Sequence, residues 1–328
     1  MKLASLREGG RDGTLVVVTR DLGRAVRAGA TLPTLQHALE EWESAAEILS
    51  GLSVALAQGK AKGAFDLDPG ELASPLPRAY QFVDGSAYLP HVERVRRARG
   101  AEMPPSFLHD PLMYQAASDG FLPPRGGIPV ADEEWGLDFE AEVCVVTGDV
   151  PMGTSADEAE QYVRLVGLVN DVSLRNLIPA ELAKGFGFLQ GKPRSALSHV
   201  LVTVEELGAA WRDGRLYGRL LTHLNGKLFG QPDAGQDMQF SFHDLIAHAA
   251  RTRPLAAGTI VGSGTVANED ESRGASCMAE KRMLEVIRAG KASTPFLSFG
   301  DRVRIEMLDD SGKSIFGALE HVFEKHQR

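Results

Sequence analysis

The sequence predicts a strand-rich α+β fold, with a small N-terminal α+β domain over residues 1–75 and a larger domain over residues 76–328. Three observations carry this. Beyond residue 75 the apolar runs are short and densely punctuated by glycine, and no strand–helix–strand alternation recurs. Two stretches, beginning at Pro33 and at Phe242, show the three- and four-residue apolar spacing of helices. The run from Leu137 to Val146 alternates apolar and acidic residues before turning wholly apolar, as a strand entering a core does.

Composition bounds the function. The chain has 328 residues, 43% of them hydrophobic and 24% charged, enough for a substantial core. Its net charge of -9 argues against a nucleic-acid binder. No apolar run reaches membrane-spanning length and the first residues lack a signal-peptide core, so a cytoplasmic protein with no membrane partner is expected. Cys144 and Cys277 give neither a disulfide framework nor a thiolate metal pattern. With thiols scarce and acids abundant, an oxygen-ligated Mg²⁺, Mn²⁺ or Ca²⁺ is favoured over structural zinc.

The elements follow in order. Residues 2–6 and 14–19 read as strands joined by the turn cluster Gly9-Gly10-Arg11-Asp12-Gly13. Pro33 opens a helix to about Leu56, with Leu35, Leu39, Trp42, Ala46 and Leu49 on one stripe and Gly51 as a possible break. The turn-rich stretch from Asp66 to Pro77 closes the small domain. Residues 80–127 read as irregular, and segment 84–115, with Arg94, Arg96, Arg97 and Arg99, as a mobile lid. Strand 137–147 follows, then a helix from Ala156 running into a strand that ends at Asn170-Asp171. Asn225-Gly226 supplies the tight turn of a hairpin over residues 219–229. Phe242 to Ala250 is a helix, Gly258 to Gly262 a strand, and residues 302–308 and 314–319 a closing pair of strands.

On strand 137–147, Leu137, Phe139, Ala141 and Val143 share one face, and Asp138, Glu140 and Glu142 the other. A wetted sheet face explains such a row of acids in most cases. Here the strand continues into Cys144-Val145-Val146, and Asp171 follows a second apolar run. Carboxylates converging on buried backbone are costly unless they bind a cation, so a hard-cation site is expected. Asp138 is expected to be a neighbour of that site or an exposed acid.

The chemistry-bearing residues fall in a distinctive order: Asp84 seven residues before His91, Glu140-x-Glu142, Asn170-Asp171-Val-Ser-Leu-Arg175, Gln190-Gly-Lys192, Gly262-Ser-Gly-Thr265, and Glu280 after Cys277. This order resembles the fumarylacetoacetate hydrolase family over roughly residues 75–320, and the N-terminal segment is similar to that family's small N-terminal domain. The resemblance implies a mixed β-roll or sandwich catalytic domain and a homodimer. It implies that Asp84, Glu140, Glu142 and Asp171 bind the metal, that His91 activates water, and that Glu280 pairs with His91. It also implies that Lys192 stabilises charge near the metal, and that Arg175, Tyr114, Thr265 and Arg97 (or Arg99) contact a small oxo-acid substrate. Ser86 stands where the fumarylacetoacetate-specific enzyme has a tyrosine, and Leu177-Ile178-Pro179 where it has a glutamine, which points away from fumarylacetoacetate itself.

The implied activity is hydrolysis of a C–C bond in a β-diketo or acylpyruvate-type acid. Such a substrate chelates a cation through two oxygens, water attacks one carbonyl, and the leaving carbanion is held as a metal-bound enolate. A hydratase, isomerase or decarboxylase of a 2-oxo acid is the first alternative, and a non-catalytic metal- or ligand-binding protein the second. Each residue has a plainer reading as well: Lys192 a solvated loop lysine, Glu280 an exposed helix charge, Arg175 the partner of Asp171 one helical turn back. His109, His199, His223, His243, His248 and His321 lack a partner at ligand spacing and read as structural, and Cys144 as a small core residue.

Overall fold

The computed structural model describes residues 1–98 and 102–327. An eleven-stranded sheet organises the chain. Along it lie Phe65–Asp66, Arg24–Arg27, Thr14–Val18, Lys2–Leu6, Leu201–Val202, Val163–Asn170, Ala141–Thr147, Ile260–Gly262, Phe82–Gly85 and Met113–Ala116, with Ala196–Leu197 pairing off the path to Val163–Asn170. All neighbours are antiparallel except Ile260–Gly262 and Phe82–Gly85, which run parallel. The N-terminal strands continue this sheet, since Lys2 and Leu3 pair with Val202 and Leu201. A second sheet of five strands holds Lys227–Gly230, Leu220–Leu224, Arg302–Met307, Leu319–Lys325 and Arg125–Val130.

Both faces of the large sheet are covered, and strand parity shows which core each residue joins. Ala141, Val143 and Val145 belong to one apolar cluster, together with Leu137 and Phe139. Cys144 and Val146 belong to the other, beneath the N-terminal helices, which contribute Leu35, Leu39, Ala45 and Leu49. Each face therefore excludes water, and a wetted acid stripe is ruled out: residues 137–147 are buried throughout. The Cys144 thiol, pushed up to about 12 by burial, has no nucleophilic character there.

Several expected elements are redrawn. The first helical run is two helices, Leu35–Glu40, capped by Thr34, and Trp42–Ala57. They break at Glu41, and Gly51 lies inside the second. The acid strand divides into Leu137–Asp138 and Ala141–Thr147, with Phe139 and Glu140 between. The helix from Ala156 is one short turn, Ala156–Ala159, stopped by a 3₁₀ turn before strand Val163–Asn170. The last strand is Leu319–Lys325 rather than 314–319; it pairs with Arg302–Met307 and, in parallel, with Arg125–Val130. The hairpin turn is as expected, with Asn225 at φ 52° and Gly226 at φ 76°.

The largest difference is in residues 80–127. Strand Phe82–Gly85 lies inside the large sheet and helix Leu89–Ala98 packs on helix Met278–Ala289, so 84–98 is core structure and not a mobile lid. Proline and arginine are compatible with this packing. Pro90 sits in the first turn of its helix, where no N–H is needed, and Arg94 is buried by ion pairing.

Candidate active site

The sheet brings the acids together at adjacent strand ends. Gly262 lies opposite both Asp84 and Cys144, while Glu142 lies opposite Val169, two residues before Asp171. Gly262 is required there, because a Cβ at that position would collide with the Asp84 carboxylate. Ligand oxygens of Asp84, Glu142 and Asp171 all lie within 4.8 Å of one another. All three residues are buried.

Their surroundings differ. Asp84 Oδ1 accepts from Gly264 N at 3.0 Å. Asp171 accepts from Ser195 Oγ at 2.5 Å, from Lys192 Nζ at 2.5 Å and from the Tyr114 hydroxyl. Glu142 receives nothing: among the described residues no donor reaches either oxygen, although the side chain is wholly buried. Burial, reinforced by Asp171, pushes the Asp84 carboxyl up to about 8. Burial, then Asp84 and Asp171, raises Glu142 well above the carboxylate range. An orphaned buried carboxylate flanked by two more fits a hard divalent cation, which takes oxygen ligands and would supply the missing counter-charge.

Glu140, expected in the same ligand set, stands outside the trio. Arg175 donates to its Oε1 at 2.7 Å and Lys192 to its Oε2. Burial alone opposes its ionisation, yet the Arg175 and Lys192 charges outweigh it and hold the carboxyl well below the usual range. Lys192 is itself buried and is kept firmly protonated against desolvation by Asp171 and Glu140. The solvated-loop reading of this lysine therefore fails.

Arg175 does not pair with Asp171. Its Nε donates to Asp138 Oδ2 at 2.7 Å, so two carboxylates already engage its guanidinium. Asp138 is not an exposed acid: it is fully buried and caps helix Met278–Ala289, accepting from Met278 N at 2.7 Å and Ala279 N at 2.9 Å. Asp138→Ala is expected to lower stability by about 3–5 kcal/mol, because it leaves Arg175 Nε and two helix N–H groups buried without an acceptor, Glu140 remaining on the other side of the guanidinium. Urea unfolding checks this, and a loss below about 1 kcal/mol would exclude that role.

The same helix presents Glu280. It is wholly buried rather than an exposed helix charge, and its Oε2 meets His91 Nδ1 at 2.9 Å. His91 comes from helix Leu89–Ala98. Asp84, His91, Tyr114, Glu140, Glu142, Arg175, Lys192 and Thr265 all line one cavity of about 420 Å³. Gly264, at φ 77°, lets the chain pass hard against Gly85 and carry Thr265 to the wall. Arg97 is exposed and does not line the cavity, and Arg99 lies outside the described residues.

Other residues lay beyond sequence reasoning. Ser195 orients Asp171, Arg94 engages Glu280, and Phe188 meets the Tyr114 ring edge-on at 4.8 Å. None carries a local signal: a serine three residues after Lys192, one arginine among four and a phenylalanine in a glycine-rich loop acquire meaning only from their neighbours. Ser86, Ile178 and Pro179 do line the cavity, together with Leu182, Val95, Met283, Val286 and Phe296. One part of the cavity wall is thus charged and another apolar.

Comparison with known proteins bears on the fold and the family. No curated protein sequence gives a significant match. Among solved structures, a candidate HpcE protein from Mycobacterium smegmatis is 22% identical with a TM-score of 0.69. A maleylpyruvate hydrolase from Sphingobium sp. SYK-6, solved with manganese(II) and pyruvate, is 14% identical with a TM-score of 0.65. A 5-carboxymethyl-2-hydroxymuconate delta-isomerase from Mycobacterium smegmatis is 16% identical with a TM-score of 0.61. Each alignment covers 100% of both chains, and at these identities the likeness is one of fold. The family model for the fumarylacetoacetate (FAA) hydrolase C-terminal domain matches residues 81–324, and that for fumarylacetoacetase N-terminal domain 2 matches residues 1–78. With Asp84, Glu140, Glu142, His91 and Lys192 around one cavity and the family match spanning most of the sequence, this chain belongs to the fumarylacetoacetate hydrolase family.

Proposed function

We propose that the chain is a divalent-metal-dependent hydrolase that cleaves a C–C bond in a β-diketo acid of the acylpyruvate type. One observation carries the reading. A wholly buried carboxylate without a donor, Glu142, sits beside Asp84 and Asp171 at the cavity whose wall also carries His91, itself held from behind by Glu280. Asp84, Glu142 and Asp171 would hold the cation, with Glu140 as the fourth carboxylate beside them. Mg²⁺ is proposed, with Mn²⁺ or Ca²⁺ suiting the same oxygen donors. Once bound, the cation supplies Lewis-acid polarisation of two substrate oxygens.

The residues of the chain do the rest. Glu280 holds His91 through Nδ1, so Nε2 is the ring nitrogen left to take a proton from water. The hydroxide so formed adds to the distal carbonyl carbon. The adjoining C–C bond then breaks, its electron pair passing to the departing enolate, which is protonated to the ketone. Lys192 places its ammonium beside the carboxylate cluster and stabilises the developing negative charge. Tyr114 and Thr265 contact substrate from the wall. Arg175 departs from its expected part as reader of a substrate carboxylate: with Asp138 and Glu140 on its guanidinium, it positions Glu140. Ile178, Pro179 and Phe188 supply the apolar surface for the acyl chain. A homodimer belongs to the same proposal.

A panel of acylpyruvates, fumarylpyruvate, fumarylacetoacetate and oxaloacetate, each with Mg²⁺ or Mn²⁺, tests it. Loss of enol absorbance with stoichiometric pyruvate and free acid is expected for an acylpyruvate. Product of unchanged mass would indicate an isomerase, and CO₂ release from oxaloacetate alone a decarboxylase.

A further inference from the structure

We propose that Arg94 is a positioning residue that sets the tautomer of His91 by keeping Glu280 a carboxylate. Arg94 lies three residues after His91 on helix Leu89–Ala98, so both side chains reach the facing helix Met278–Ala289. It is buried, with 7% of its surface exposed. Its Nη1 donates to Glu280 Oε1 at 2.6 Å. Its Nη2 donates to the carbonyls of Asn268 at 2.6 Å and Glu269 at 3.2 Å. Arg94 thereby ties the helix carrying His91 to the helix carrying Glu280 and to the segment that follows Thr265.

The electrostatic consequence follows from what surrounds Glu280. Among the described residues, Arg94 and His91 are the groups of opposite charge type within 4.0 Å of it. Arg175 is committed to Asp138 and Glu140, and Lys192 to Glu140 and Asp171. The Cys277 thiol, whose sulfur accepts from Glu280 N at 3.3 Å, is kept neutral chiefly by burial. A buried carboxylate facing only a neutral imidazole would keep just the weaker potential of its own helix's first turn as compensation, and the less costly arrangement is a neutral carboxylic acid. That acid would donate to Nδ1, the imidazole hydrogen would sit on Nε2, and no acceptor would face the cavity. With the guanidinium present, Glu280 stays anionic and accepts from Nδ1–H, leaving the Nε2 lone pair for water. His91 as the water-activating base is the reading on which the functional value of this arrangement rests.

The test uses full-length protein with ¹⁵N-labelled histidine rings, His91 being assigned by the signal lost in His91→Gln. Wild type is expected to carry its ring hydrogen on Nδ1. In Arg94→Gln, which keeps polar contacts without the charge, the hydrogen is expected to move to Nε2. The kcat of Arg94→Gln should fall about 10²-fold with KM little changed, and Arg94→Lys should restore the wild-type tautomer and much of kcat. A hydrogen on Nε2 in the wild type overturns the proposal without any variant. So does an Arg94→Gln protein that retains the Nδ1–H form. If the tautomer responds to Arg94 but His91→Gln still hydrolyses substrate, the positioning stands and the catalytic reading of His91 falls. If His91→Gln is inactive while the tautomer ignores Arg94, the reverse holds.

Discussion

Replacing His91 with alanine is expected to lower kcat for C–C hydrolysis by about 10²–10⁴-fold, the range lost when a positioned general base is removed. Metal uptake should survive. Asp84, Glu142 and Asp171 are held by the sheet, whereas His91 is held by a helix and by Glu280. The informative comparison is therefore between enol-absorbance decay, which should collapse, and the thermal shift on adding Mg²⁺ or Mn²⁺, which should persist. A decarboxylase or tautomerase acting on the same enolate chemistry needs no water-derived nucleophile. Retention of more than about a tenth of wild-type kcat would remove the water-activating role and favour those reactions.

The second large effect is expected at Glu142, and its sign depends on the metal. In metal-free protein, Glu142 ionises only against burial and the charges of Asp84 and Asp171, and Glu142→Gln removes that ionisation, so at alkaline pH the variant should melt at a higher temperature than wild type. With saturating Mg²⁺ or Mn²⁺ the order should reverse. Wild type gains about 2.7 kcal/mol at a metal concentration a hundredfold above its Kd, and a variant that has lost a ligand gains much less. The pH dependence follows from the same carboxylates. Asp84 is raised from the ordinary carboxylate range to about 8, and Glu142 is raised as well. Between those limits the folded state holds protons that the unfolded chain releases. The contribution of these groups to stability is therefore greatest below about pH 4 and falls as pH rises toward 8. Metal-free wild type should lose stability across this window, Glu142→Gln should lose less, and metal binding should release protons. A flat profile for metal-free wild type, measured by urea unfolding, would contradict the assigned electrostatics.

Parts of this protein are legible without coordinates. Asn225-Gly226 dictates its hairpin because a tight turn needs two positive φ angles in succession. The period-two pattern from Leu137 onward places Phe139, Ala141 and Val143 in one core, as observed. Resemblance in residue order picks out most of the ionisable residues on the cavity wall, His91 included, and pairs His91 with the buried Glu280 behind it, although 188 intervening residues separate the two. Local reasoning fails where a tertiary partner reverses a residue's default. Arg94 and Pro90 suggested loop, yet Pro90 opens a helix and Arg94 is buried because Glu280 neutralises it. Asp138 shares its strand face with Glu140 and Glu142 by parity, yet it caps a helix, because Met278 N and Ala279 N approach it from far along the chain.

The sequence by itself determined the strand-rich class, the cores under the central strand, the oxygen-rich character of the cavity and the family. Those properties reside in side-chain period, composition and residue order, which no later packing changes. Tertiary structure alone decided how the acid stripe divides. Three acids at alternate positions, Asp138, Glu140 and Glu142, look equivalent along a strand. Asp138 meets a helix N-terminus and Arg175, Glu140 meets Arg175 and Lys192, and Glu142 lies against Asp84 and Asp171. Their different chemistry comes from which charges and donors other segments deliver to each oxygen: donors more than a hundred residues away in the chain for Asp138, and two further acids but no donor among the described residues for Glu142.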